Sequence, residues 1–213
     1  PRRRLNDIRL LPFSQVHDVF CELLSALKGE RMEDYTQMED GQLVDLAREN
    51  PDAFEALYRR YVTPVYRYCY ARTDNVADAE DLTAQTFLAL LESIQRYRST
   101  SNFSAWLFGI ARHKCADHYR KAYATRQEPV VNIEITDPEP DEPEDRLFLN
   151  EVLECVERLL KQLSPDRLEA LHLRYWGGLS VQEAAKVMRR SEAALKMLVS
   201  RAIADLRERC VTP

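Results

Sequence analysis

The chain has 213 residues, a net charge of −5 and only five glycines. This length accommodates one large domain or two small ones, and the abundant Leu, Ala, Glu and Arg favour helices. No apolar run approaches the roughly 20 residues that a membrane span needs, and the basic amino terminus lacks the continuous apolar centre of a secretory signal. We therefore expect a mostly helical protein that acts in the cytoplasm, without membrane insertion.

The charge is unevenly distributed along the chain. Residues 1–52 carry −4, residues 53–127 carry +4, residues 128–146 carry −7 and residues 147–213 carry +2. Two mildly basic blocks therefore flank an acidic connector. This asymmetry is compatible with nucleic-acid binding, which the total charge alone disfavours.

The cysteines predict neither disulfides nor a metal site. Their number is odd, they are widely scattered and no CxxC pair occurs, which is typical of reduced thiols. The one local cluster comprises His113, Cys115 and His118, but helical residues two apart point to nearly opposite sides and do not converge on one ion. The five cysteines are Cys21, Cys69, Cys115, Cys155 and Cys210.

Residues 1–40 form an N-terminal extension. Its apolar residues recur at near-helical spacing between Leu10 and Leu27, and Gly29 is suited to end such a helix. An amphipathic segment of this kind packs either on its own domain or on a partner. The sequence leaves both alternatives open, including an inhibitory role.

Residues 41–122 read as one bundle of four or five helices. A first helix begins near Gln42 and breaks at Asn50 before a proline, and a second follows. Pro64 is suited to open a third helix, and an acidic helix begins near Asp78. A polar loop then precedes a helix that starts near Phe103.

Residues 123–146 are predicted to be an acidic flexible linker. Prolines alternate with carboxylates there, so the segment has too little apolar surface to fold alone. A solvated tether is the simplest interpretation.

Residues 147–213 carry the pattern of a helix-turn-helix. One apolar stripe includes Leu171, His172 and Tyr175, and two glycines close it. Ser180 and Glu183 then form a capping box at the start of a short helix. After a tight connection, Ser191 caps a last helix with an inward Leu/Val stripe.

The turn and the face opposite that stripe supply candidate DNA contacts. Glu192 at the helix tip can accept a hydrogen bond from a cytosine amino group, whereas arginines reach phosphates. A helical hairpin that merely packs is the alternative. The candidates are Arg189, Arg190, Ser191, Glu192, Lys196, Met197, Ser200 and Arg201.

The segment from Asp78 to Leu91 resembles the polymerase-binding helix of bacterial RNA polymerase sigma factors of the extracytoplasmic-function (ECF) type, whose common form reads D-A-E-D-L-T-Q-E-T-F-L. Gln85 stands where the family has Glu. The resemblance implies contact with the clamp helices of the largest polymerase subunit, although acids stabilise any helix start. The implied contacts are Asp78, Glu80, Asp81, Leu82, Gln85, Phe87 and Leu88.

The segment from Phe103 to Lys121 resembles the sigma-factor helix that opens the promoter and reads the minus-ten element. We expect Trp106, Leu107 and Ile110 to be core, and the loop Tyr97–Asn102 to line a pocket for a flipped base. The candidate DNA contacts are Tyr97, Arg98, Asn102, Arg112, His113, Lys114, Tyr119, Arg120 and Lys121.

The segment from Leu163 to Arg207 resembles the fourth domain of a sigma factor, whose last helix reads the minus-thirty-five element. Family members usually carry Gly where Arg189 stands, because the turn favours a positive φ. Many carry Arg at the position of Leu198. Both departures bear on individual base contacts and not on the fold.

The resemblance implies an all-α protein with two helical domains joined by an acidic Pro-rich linker. Such a sigma factor binds the clamp helices and flap of core RNA polymerase, recognises both promoter DNA elements and starts transcription by melting the DNA. The family also implies an anti-sigma factor as a partner, and a linker that mimics nucleic acid in a positive channel of polymerase.

We expect no enzymatic activity, no cofactor and no metal, because no nucleophile–base set or phosphate loop occurs. One alternative is a helix-turn-helix repressor that never binds polymerase. Another is an adaptor built of helical hairpins, which predicts no salt-dependent DNA affinity.

Overall fold

The structure, a computed structural model, describes residue 35 and residues 37–98, 102–124 and 143–210, without the side chains of 122–124 and 143–151. Regular secondary structure in these residues is helical, which confirms the predicted all-α fold. The helix predicted within residues 1–31 and most of the predicted linker lie outside them. None of the described helices is long and apolar enough to span a membrane.

The chain divides into two compact units between Asn132 and Ile133. The described part of the first unit contains four α-helices and one 3₁₀ turn. Helices α2 and α3 pack along each other, α1 packs on α2, and α4 packs on both α3 and α2. The elements are α1 (Asp40–Ala47), α2 (Pro51–Thr73), α3 (Val76–Ser93), the 3₁₀ turn (Ile94–Arg96) and α4 (Phe103–Ala124).

Aromatic contacts hold the core of the first unit. The rings of Tyr58 on α2 and Phe87 on α3 meet edge to face with centroids 4.8 Å apart. Tyr68 on α2 and Phe108 on α4 do the same at 5.6 Å. Such pairs contribute about 0.5–1.5 kcal/mol each beyond the burial of their apolar area.

Side-chain caps define where the helices of the first unit begin. The Asn50 side chain accepts a hydrogen bond from the backbone N–H of Asp52 at the start of α2. Asn75 accepts one from the N–H of Asp78 at the start of α3. Asp74 adopts a left-handed conformation (φ 51°) between the two helices, as short polar side chains tolerate.

Pro64 does not open a new helix, so that prediction was wrong. It lies inside α2, which continues from Pro51 to Thr73. Leu57 and Val65 on the same helix are fully buried. Burial of one continuous apolar face offsets the roughly 3 kcal/mol that an interior proline costs a helix.

The described part of the second unit contains four α-helices and one π-turn, and its last helix packs against the three others. The Ser180–Glu183 capping box is present in both directions, with bonds of 3.2 and 2.7 Å. The elements are α5 (Pro143–Leu160), α6 (Pro165–Leu171), the π-turn (His172–Trp176), α7 (Val181–Met188) and α8 (Glu192–Cys210).

Tyr175 does not face inward as its spacing predicts. The widened turn from His172 to Trp176 closes with a hydrogen bond from the Gly177 N–H to the His172 carbonyl, at 2.9 Å. The π-turn changes the rotation per residue, so an α-helical period no longer applies. Leu173 is therefore fully buried, whereas Tyr175 is 59% exposed.

Cys155 and Cys210 are joined by a disulfide, which corrects the prediction that all cysteines are reduced. The two residues are 55 positions apart, but α5 and α8 bring their Cα atoms to 5.6 Å. Helix packing creates this proximity, and sequence spacing does not reveal it. Cys69 and Cys115 of the first unit are free and buried.

Replacing Pro64 with Ala is expected to raise the free energy of unfolding of the first unit by about 1 kcal/mol, because a backbone donor returns to the interior of α2. The two tryptophans lie in different units. Trp106 fluorescence during urea unfolding of a Trp176→Phe chain therefore reports the first unit. Pro51→Ala at the first position of α2 is the control, expected to change stability by under about 0.5 kcal/mol. Equal effects of the two substitutions would contradict the explanation.

Candidate polymerase and promoter interfaces

The first half of α3 presents an acidic surface. The Asp78, Glu80 and Asp81 side chains are partly exposed, and Gln85 continues the same surface. The Gln85 amide donates a hydrogen bond to the Asp81 carboxylate at 2.6 Å. Carboxylates in this position interact favourably with the helix dipole and remain available to a basic partner.

Three predicted polymerase contacts lie in the core and not on this surface. Phe87 is 2% exposed, and Leu82 and Leu88 are also buried. Phe87 packs on Tyr58 of α2. We assign these three residues to the interior, where they hold α3 against its neighbours with the acidic side outward.

Helix α4 has one buried and one polar side. Leu107, Phe108 and Cys115 are fully buried, which confirms Leu107 as core, whereas Trp106 and Ile110 are only partly buried. The opposite side exposes the predicted DNA contacts Arg112, His113, Arg120 and Lys121. His113 and Cys115 therefore point apart, as the helical spacing predicts.

Asp117 organises the exposed side of α4. Its carboxylate accepts a hydrogen bond from the Arg120 guanidinium, and His113 Nδ1 lies 3.0 Å from it. The Arg120 hydrogen bond, aided by the charges of His113 and Lys114, holds the pKa of Asp117 below its usual value. Asp117 was absent from the predicted site, although its spacing from His113 and Arg120 would have revealed it.

Tyr119 and Lys114 lie at the edges of this exposed side. The Arg72 guanidinium of α2 sits over the Tyr119 ring at 5.7 Å, and burial raises the pKa of the phenol. His118 contacts Asp78 at the start of α3, 3.6 Å away. The C-terminal half of α4 therefore contacts both α2 and α3. Lys114 is partly buried.

The segment before α4 is anchored through Tyr97. Its ring is 5% exposed and packs against Trp106 and Phe103, with centroids at 4.6 and 5.8 Å. The Arg48 guanidinium donates to the Tyr97 carbonyl at 2.7 Å. The Tyr97 ring therefore belongs to the core and is not exposed on the surface.

The rest of the predicted pocket is only partly described. Arg98 is exposed. The Asn102 side chain caps α4 by accepting from the Ala105 N–H at 3.0 Å. Residues 99–101 lie outside the described residues.

The helix-turn-helix exposes all of its predicted DNA contacts. The turn and the outer face of α8 carry them, and Met197 at the centre of that face is 52% exposed. Leu195 and Ala202 on the opposite face are fully buried. Ser191 also caps α8, accepting from the Ala194 N–H at 3.2 Å.

Arg190 has a protein partner that the sequence did not reveal. Its guanidinium lies 2.7 Å from the Asp166 carboxylate at the start of α6, and both side chains are half exposed. The ion pair fixes the direction of the Arg190 side chain beside α8. An exposed pair of this kind is worth at most about 1 kcal/mol, so a phosphate can displace the carboxylate.

Two family models match the chain, in the order of the two units. The model of Sigma-70 region 2 matches residues 57–125, and that of Sigma-70, region 4 matches residues 153–206. The chain belongs to the sigma-70 family. The region 2 match lies in the first unit of this sigma factor, and the region 4 match lies in the second.

Named relatives place this sigma factor with the ECF type. The ECF RNA polymerase sigma factor BldN of Streptomyces coelicolor is 39% identical over 169 residues, which are 78% of this chain and 63% of that protein. The ECF sigma factor SigD of Mycobacterium tuberculosis is 31% identical over 190 residues, 87% of this chain and 86% of SigD. The predicted family type is confirmed.

Solved structures share the fold. RpoE of Bartonella quintana, in complex with the anti-sigma factor NepR, matches with a TM-score of 0.54 and 26% identity, over 73% of this chain and 94% of RpoE. CnrH, in complex with the cytosolic domain of CnrY, matches with a TM-score of 0.58 and 24% identity, over 79% of this chain and 95% of CnrH.

Arg189 occupies the position in the turn of this sigma factor where the family favours Gly. Its backbone is left-handed, with φ 53° and ψ 45°. For a residue with a Cβ atom this conformation costs about 1–2 kcal/mol. The Arg189 side chain is exposed, so it adds a cation to the turn at the expense of stability.

Replacing Arg189 with Gly is expected to stabilise the second unit by about 1 kcal/mol, since the left-handed strain disappears. Trp176 fluorescence during urea unfolding of a Trp106→Phe chain measures it. Arg190→Gly is the matched control, because it removes the same charge next door where φ is not positive. Destabilisation by both variants would contradict the explanation.

Replacing Phe87 with Ala is expected to lower the free energy of unfolding of the first unit by about 3–5 kcal/mol, because the substitution leaves a cavity against Tyr58. Gln85→Ala, on the exposed side of the same helix, should change it by under about 0.5 kcal/mol. Urea unfolding followed by Trp106 fluorescence distinguishes them. If the Phe87→Ala chain is as stable as the wild-type chain, Phe87 is not a core residue, and the predicted polymerase contact is favoured instead.

Proposed function

We propose that this sigma factor binds core RNA polymerase and directs it to promoters that contain a minus-ten and a minus-thirty-five element. The observation that carries the proposal is the pairing of an acidic helix surface with a basic one in the first unit, followed by an exposed recognition helix in the second. A repressor needs no acidic surface for polymerase, so that alternative is not favoured.

Polymerase binding is assigned to the exposed acids of α3. Asp78, Glu80 and Asp81 offer negative charge to the clamp helices, and the second unit is assigned to the flap. Gln85 donates its amide to Asp81, so it orients one carboxylate while lacking the charge that the family has there. We infer a contact that depends on Asp81 more than on Gln85.

Recognition of the minus-ten element is assigned to α4 and the segment before it. Arg112 and Arg120 supply cations to the DNA backbone. The rings of Tyr97, Phe103 and Trp106, which precede and follow the segment proposed to line the pocket, pack on one another. Unstacking one base costs a few kcal/mol, which stacking and hydrogen bonds in a pocket offset. Melting then needs binding energy and no cofactor, and the protein acts as an initiation factor rather than an enzyme.

Recognition of the minus-thirty-five element is assigned to α8. Glu192, Lys196 and Ser200 are proposed to contact base edges, and the arginines of the turn to bind phosphates. Because the outer face of α8 is free of buried residues, the whole helix can enter a major groove.

Two further expectations concern partners and place of action. RpoE and CnrH were solved with an anti-sigma factor and with the cytosolic domain of CnrY, and we propose that an anti-sigma factor also binds this chain, in the cytoplasm. The acidic residues of the linker are proposed to occupy a positively charged channel of polymerase. These proposals rest on family and charge.

Run-off transcription with core polymerase and a pool of promoter fragments tests the function. The wild-type chain is expected to give specific starts, and Asp81→Lys to lose them together with polymerase binding, because it reverses a charge on the acidic surface. Glu154→Lys, an exposed change on α5, is the matched control and should transcribe normally. Double-stranded DNA binding with neither polymerase binding nor transcripts would favour a repressor instead.

A further inference from the structure

The disulfide between Cys155 and Cys210 joins the first and last helices of the second unit, which is the promoter-reading unit of the proposed function. Cys155 lies on α5 and Cys210 is the last residue of α8. The 55-residue separation encloses the complete helix-turn-helix, including α6, the π-turn and α7. A cross-link across this span restricts the unfolded chain much more than the folded one.

The bond is accessible to small thiols. Cys155 and Cys210 are both only partly buried. Cys155 Sγ lies 3.5 Å from the Arg209 carbonyl, and the Arg209 guanidinium contacts Gln162 Oε1, also at 3.5 Å. Thiol–disulfide exchange requires such access, because an attacking thiolate must reach a sulfur of the bond.

The second cysteine pair provides a contrast within the same chain. The Sγ atoms of Cys69 and Cys115 are 3.9 Å apart but fully buried between α2 and α4. Their mutual hydrogen bond and burial raise the pKa of the Cys69 thiol well above its usual value. Burial shields this pair from small oxidants, so oxidation is selective for the second unit.

We propose that Cys155 and Cys210 form a reversible redox-modification site that sets the stability of the promoter-reading unit. The oxidant is a low-molecular-weight disulfide. One cysteine thiolate attacks it, forms a mixed disulfide and releases one small thiol. The other thiolate then attacks the mixed disulfide and releases the second. Two protein thiols and one small disulfide thus become one protein disulfide and two small thiols.

Release of the bond acts first on the end of α8. The Arg167–Asp205 ion pair, at 2.6 Å, fastens the helix up to Asp205. Beyond it, Leu206 and Cys210 are only partly buried and Arg207 and Arg209 are exposed. Reduction leaves this last turn to weaker contacts, so the recognition helix frays from its C-terminal end.

The test uses the full chain with Cys21→Ser, so that only the two pairs remain. The protein is equilibrated in mixtures of reduced and oxidised glutathione, alkylated and mapped by mass spectrometry. The Cys155–Cys210 bond is expected to form and disappear across the series, while Cys69 and Cys115 stay alkylatable after unfolding. A bond that persists in pure reduced glutathione, or never forms in pure oxidised glutathione, would overturn the proposal.

Hydrogen exchange then measures the consequence. The most protected amides of α8 are expected to exchange about 30- to 1,000-fold more slowly in the oxidised than in the reduced chain, as loss of unfolded-state entropy implies. Cys155→Ser and Cys210→Ser should each match the reduced chain in both glutathione states. Equal exchange in the oxidised and reduced wild-type chains would contradict the proposal. Urea unfolding of the first unit, followed by Trp106 fluorescence, should be the same in both states and serves as the control.

Discussion

Burial of one side of α4 against α2 and α3 determines how the first unit presents its two partner surfaces. Phe108 and Cys115 are fully enclosed by α2 and α3, so the helix cannot rotate without exposing its apolar side. That restriction turns Arg112 and Arg120 outward. It also places His118 beside Asp78, so the basic surface of α4 and the acidic surface of α3 share one rigid support.

In the second unit, the helices α7 and α8 present a partner surface in a similar way, through burial of one side of a helix. Leu195 and Ala202 anchor α8 on its neighbours and leave the outer face to solvent. The left-handed Arg189 makes the tight turn that sets the angle between α7 and α8. The disulfide adds a covalent restraint at the far end of α8, so the reading face lies between a strained turn and a cross-link.

Local patterns predicted most of the helices, because periodicity, caps and turn residues act over a few positions. The Ser180 capping box, the Asn50 break and the left-handed turn at Arg189 are all local. The errors arose where tertiary packing decides. Pro64 is retained inside α2 by burial of the apolar face of that helix, Tyr175 is turned outward by a π-turn, and Cys155 meets Cys210 only after folding.

The site residues show the same contrast between what local patterns predict and what tertiary packing decides. Exposed charged residues on helix faces, such as Lys196 and Arg120, could be selected from the sequence, since a helical period separates inside from outside. Family resemblance also selected Phe87 and Tyr97, whose rings the fold buries.

The central claim is that α4 opens the promoter whereas α8 only positions the complex. Permanganate reactivity of unpaired thymines, measured per bound holoenzyme, tests this claim most directly. Arg112→Ala with Arg120→Ala should lower the reactivity of each bound complex, whereas Lys196→Ala with Arg201→Ala should lower occupancy and leave the reactivity of each bound complex unchanged. Equal loss of reactivity per bound complex in both variants would contradict the account.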